Sequence, residues 1–151
     1  MSLRIARTLA LGTVLAIATL ALVTPASASP SQPVTLTVLS TIDPEAVDPF
    51  TSTGDVVCAE GEVGTLFQGF AGGQSGTHAR INAVKLFICP TGTFEVHLRV
   101  TLDFETNGTN GTWSVSQGTG AFDKLHGTGG ISGTRVGDKV LDVYTGSMHI
   151  D

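Results

Sequence analysis

From Phe94 to Glu105 apolar and polar side chains alternate without a break. Phe94, Val96, Leu98, Val100, Leu102 and Phe104 hold one phase, and Glu95, His97, Arg99, Thr101, Asp103 and Glu105 hold the other. A period of two over this length predicts a long β-strand with one face in a core. Val34 to Thr41 alternates in the same way, as do stretches of Val140 to Ile150. Arg80 to Cys89 is more continuously apolar and rich in β-branched residues. Val63 to Phe70 and Thr112 to Gln117 predict further strands, with a weaker one around Ile131. Seven or eight strands and no helix follow from this pattern.

Turn chemistry falls between the strands. Cys89-Pro90-Thr91-Gly92, Asn107-Gly108, Asn110-Gly111 and Gly137-Asp138 all reach positive φ at low cost and read as hairpin joints. Consecutive antiparallel strands with short joints make a meander, and closing it removes the free edges that promote aggregation. The fold expected is all-β, an antiparallel closed barrel of about eight strands. Residues 42–62 break the rhythm with Pro44, Pro49 and the acids Asp43, Glu45, Asp48, Asp55, Glu60 and Glu62, and read as a long acidic loop.

Arg4 and Arg7, the apolar run from Leu9 to Val23, and the small-x-small pattern Ala26-Ser27-Ala28 predict a secretory signal peptide over residues 1–28. The expected mature chain, 29–151, is a single secreted barrel domain. It keeps six basic side chains against thirteen acidic ones, a formal balance of −7. Nothing in it supplies the clustered lysines and arginines that nucleic acid or an anionic membrane surface requires. In an exported chain Cys58 and Cys89 most economically form one disulfide, worth about 3 to 4 kcal/mol in the chain-entropy picture.

The candidate chemistry is sparse. Gly118, Gly120, Gly127, Gly129, Gly130 and Gly133 do not match a nucleotide fingerprint, because no helix pattern follows them and no Gly-Lys-Ser/Thr occurs. Strand bends and close backbone contacts account for them better. His78, His126 and His149 lack metal-ligand spacing, so no metal and no cofactor is expected. Glu95 and His97 could serve as acid and base only if the polar face of their strand turned inward; otherwise Glu95, His97, Arg99 and Asp103 form a solvated ladder. Trp113, Phe122 and Tyr144 read as core or mouth of the barrel. Asn107 and Asn110 each begin an Asn-Gly-Thr acceptor pattern for glycosylation, and their turn role explains them equally well.

The segment Trp113-Ser114-Val115, Gly118-Thr119-Gly120-Ala121-Phe122 and Leu125-His126-Gly127-Thr128-Gly129 resembles the strand and glycine-turn signature of the allene oxide cyclase and dirigent barrels. The likeness covers about the last third of the chain, and it extends to small secreted bacterial proteins of calycin-like type. It implies an eight-stranded antiparallel barrel, often oligomeric in plant relatives. In the cyclases the lumen holds an apolar oxylipin, and in dirigent proteins it guides phenoxy radical coupling. The cyclases carry catalytic polar groups on early strands, whereas Val34 to Thr41 has no charged residue, so no catalytic residue carries over.

Three functions fit these observations. The first is a non-catalytic module binding a small apolar or aromatic ligand with Phe94, Val96, Leu98, Val100 and Trp113. The others are a cofactor-independent cyclase or isomerase using Glu95 and His97, and a structural or cell-envelope protein with a filled barrel. A homo-oligomer is compatible with each. A lumen cavity of roughly 300 Å³ separates the two ligand readings from the third.

Overall fold

A computed structural model describes residues 29–72 and 76–151. The expected signal peptide, 1–28, lies outside the described residues. Eight strands run in chain order: β1 (Gln32–Thr41), β2 (Asp48–Thr53), β3 (Glu60–Gly72), β4 (His78–Cys89), β5 (Gly92–Asp103), β6 (Thr109–Gly118), β7 (Leu125–Val136) and β8 (Lys139–Ile150). Each pairs antiparallel with the next, and β8 pairs with β1 from Gln32↔Met148 to Thr41↔Lys139. The result is the closed all-β barrel the alternation predicts. A 3-10 turn at Gly120–Phe122 joins β6 to β7.

Two local expectations are corrected. Residues 42–62 are not one loop, because β2 and the start of β3 lie within them, pairing Asp48↔Val63 and Phe50↔Gly61. Only six residues long and carrying Pro49, β2 is too short to show its period, yet Asp48 and Phe50 are both buried. Asn110-Gly111 is not a turn either: it lies in β6, where a Cβ on Gly111 would stand 2.1 Å from the Arg99 carbonyl oxygen. Asn107, at φ 53°, takes the turn position instead.

The two ends of the barrel differ. At one end the loop between β2 and β3 is fastened to the end of β4 by the Cys58–Cys89 disulfide, with Cα atoms 5.9 Å apart. The 3-10 turn closes the same end. Phe122 packs edge-on to Phe94 with centroids at 5.5 Å, and the backbone N–H groups of Thr119 and Ala121 donate to Thr93 and Thr91. Above this floor Phe50, Phe87, Phe94 and Tyr144 form a continuous aromatic cluster with centroids 4.9 to 5.7 Å apart. Trp113 lies beside it over Gly129 and Gly146, where added Cβ atoms would stand 2.8 and 2.7 Å from the indole. Its Nε1–H donates to the Gly130 carbonyl at 2.8 Å. This half of the lumen is solid, as eight-stranded barrels permit.

Candidate functional site

The other half is hollow. A cavity of about 290 Å³ opens at the end formed by Thr41, Asn107 and Arg135. Its apolar wall is Ile81, Ala83, Leu98, Val100 and Ile131, set by the registers Ile81↔Val100 and Ala83↔Leu98. A shift in register between Thr65 and Phe67 lets β3 contribute to the same space. Past this bulge the phase of β3 changes, so Gln68 and Phe70 line the cavity while Phe67 stays outside. Phe70 and Ile42 stand at the mouth, 64% and 61% exposed, and form an apolar lip.

Two charged side chains project into this apolar space from opposite walls. Lys85 sits on β4 between the inward residues Ala83 and Phe87, and Asp142 on β8 between Val140 and Tyr144. In a ring of eight strands β4 and β8 are diametrically opposed. The Lys85 ammonium donates to Thr65 Oγ1 at 2.7 Å, and Asp142 Oδ2 accepts from the Ser40 hydroxyl at 2.9 Å. Asp48, buried on β2, accepts from the Thr41 N–H at 2.9 Å and belongs to the same electrostatic neighbourhood. No carboxylate oxygen among the described residues comes within 4.0 Å of the Lys85 nitrogen. The lysine and aspartate therefore face each other across the lumen without touching.

Burial governs their proton affinities. Removal from water pushes the Lys85 ammonium below its ordinary range, and the fields of Asp142 and Asp48 oppose that shift. Burial likewise raises the Asp142 carboxyl; the Ser40 hydrogen bond and Lys85 act against the rise, and Asp48 adds to it. Tyr144, one inward step from Asp142, is held well above its usual value by burial and by that carboxylate, so its phenol stays protonated.

The residues expected from sequence fall in three places. Leu98 and Val100 line the cavity. Phe94, Val96 and Trp113 are buried in the barrel, at 0%, 0% and 2% exposure, but do not line the cavity. Glu95 and His97 are on the outer wall: Glu95 accepts from Gln117, and His97 borders an external pocket with Arg99, Thr112 and Thr128. The inward turn that an acid–base role for Glu95 and His97 required does not occur. Among the described residues no cluster of three or more His, Cys, Asp or Glu has the arrangement of a metal site.

Sequence reasoning did not single out Lys85, Asp142 or Ser40. The signal for the first two was a charge in the apolar phase of a strand, Ala83-x-Lys85-x-Phe87 and Val140-x-Asp142-x-Tyr144. Reading β4 as continuously apolar hides the first, and only the closed ring brings the two together.

These features define a closed eight-stranded antiparallel barrel, consistent with a calycin-like architecture, with a packed floor and an amphiphilic well. Comparison of the chain with protein-family models, with curated proteins and with solved structures returned no match.

Proposed function

We propose that this protein is a secreted, non-catalytic barrel that binds a small apolar or aromatic ligand in the open half of its lumen. The observation that carries the reading is the well itself, about 290 Å³ walled by Ile81, Leu98, Val100 and Ile131. Small-molecule sites share this character, concave and mostly apolar with a few converging polar groups, and this well stands at the small end of their range. At about 30 Å³ per water-sized group, it has room for a ligand of roughly ten non-hydrogen atoms. Secretion is supported by the Cys58–Cys89 disulfide, a bond that persists in oxidising compartments. No helix among the described residues is long and apolar enough to cross a membrane.

NMR titration with para-ethyltoluene tests the reading. Methyl resonances of Ile81, Leu98, Val100 and Ile131 are expected to shift together and saturably, and Val100→Phe, which fills the well, is expected to suppress the response. Resonances that stay still in the unaltered protein would refute a ligand-binding lumen.

A second reading, a cofactor-independent isomerase or cyclase, is favoured by one observation: Lys85 and Asp142 are ionisable groups with displaced proton affinities beside an apolar cavity. On this reading they take the acid–base role in place of Glu95 and His97. Native mass spectrometry of protein from its own secretome separates the two, because a carrier retains an unaltered ligand of stoichiometric mass whereas an enzyme releases its product.

A further inference from the structure

Polar groups inside a barrel constrain what can lie between them. An ammonium offers three donors and a carboxylate two acceptor oxygens. Lys85 commits one donor to Thr65, and Asp142 commits Oδ2 to Ser40. One hydrogen bond leaves each group with spare capacity, and because both side chains line the cavity a guest there can use it. A guest that reaches across therefore meets donors on the β4 side and an acceptor on the β8 side.

The charge of the well selects further. Its wall carries one ammonium, that of Lys85, and one carboxyl group, that of Asp142, and the buried Asp48 carboxyl lies behind the wall within electrostatic reach of both. The nearest other cation lining it, Arg135, is exposed on the rim and turned back to the Gly137 carbonyl, where water screens it. An anionic head group would meet the Asp142 carboxyl on the wall and the field of Asp48 behind it, and gain one lysine already balanced by them. A neutral group faces no such opposition and can use both walls.

Building on the ligand-binding reading, we infer that the well selects uncharged amphiphiles: molecules with an apolar or aromatic body carrying a carbonyl-type acceptor for Lys85 and a hydroxyl-type donor for Asp142, in preference to carboxylates of the same size. Lys85 and Asp142 are the specificity-determining residues, and Ile81, Leu98, Val100 and Ile131 supply the apolar grip.

Three probes of similar size test this on the full mature chain by calorimetry or NMR titration. They are para-hydroxyacetophenone, which has both groups and no charge; para-hydroxybenzoate, which exchanges the ketone for a carboxylate; and para-ethyltoluene, which has neither. The expected order places para-hydroxyacetophenone at least about tenfold tighter than each of the others, the gain that one or two net hydrogen bonds supply. Lys85→Met and Asp142→Asn are each expected to abolish most of the advantage of para-hydroxyacetophenone over para-ethyltoluene. Equal affinity for the ketone and the hydrocarbon in the unaltered protein would overturn the inference and leave the binding reading intact, as would benzoate binding as tightly as the ketone. If none of the three probes binds, the binding reading itself fails. The ranking is measured first on the unaltered protein, so it decides between these outcomes even where a variant does not fold.

Discussion

Asp142 illustrates how one buried acid changes the response of the whole chain to pH. Its carboxyl is raised above the ordinary value of 3.8 chiefly by burial, so the folded barrel holds a proton at pH values where the unfolded chain has released it. Between 3.8 and that raised value, stability contributed by this group falls as pH rises, opposite to the usual acid-denaturation trend. Lys85 has the complementary sign: its folded-state affinity is lowered, so between that lowered value and 10.5 the unfolded chain binds more protons and stability rises with pH. Asp142→Asn keeps an oxygen for the Ser40 hydroxyl and removes the buried charge. It is expected to stabilise the protein near neutral pH by about 1 kcal/mol, a rise in Tm of a few degrees. Calorimetric scans across the acid range should also show the Asp142 contribution to the pH slope gone; a Tm that drops at neutral pH would contradict the assignment of burial as the leading cause.

At the level of strands, legibility depended on how much of a local rule each segment could display. The unbroken alternation of β5 announces its buried face, and all of Phe94, Val96, Leu98 and Val100 are inside. The Asn-Gly rule, applied twice within five residues, succeeds at Asn107 and fails at Asn110. The failure has a cause in the neighbouring strand: Gly111 is there because β5 passes too close to admit a side chain. Lys85 and Asp142 were equally visible as letters, but their meeting depends on ring closure and on the registers of β4 and β8, which no single segment encodes. Gly127 and Gly129 of β7 and Gly146 of β8 have the same non-local logic, since they are shaped by the indole of β6. Gly129→Ala would bring a Cβ within 2.0 Å of the Thr145 carbonyl oxygen and 2.8 Å of the Trp113 ring. Overpacking of this kind costs about 1 to 3 kcal/mol or more. Urea denaturation should show that loss together with a changed Trp113 fluorescence, and an unperturbed midpoint would mean the strands can part without penalty.

Across the whole molecule, the disulfide and the well occupy opposite ends. The bridge spans a sequence separation of 31, so removing it with Cys58→Ala and Cys89→Ala is expected to cost about 3 to 4 kcal/mol, read as a lower denaturant midpoint. Probe binding by the protein that remains folded should be unchanged, because the strands carrying Lys85, Leu98 and Asp142 hold their register through the sheet. Lost binding at full foldedness would show instead that the floor sets the shape of the well.

That floor has a kinetic consequence. With Phe122, Phe94 and Phe87 packed beneath it, the well has no back door among the described residues, so a guest must depart by the route it entered. Its polar groups must pass Ile42 and Phe70 at the lip before they reach Lys85 and Asp142. Affinity and residence time are thereby assigned to different residues. The deep pair decides how tightly a guest is held, and the two lip residues decide how quickly it can be exchanged, so changing the lip alone should alter on- and off-rates in parallel and leave their ratio nearly untouched.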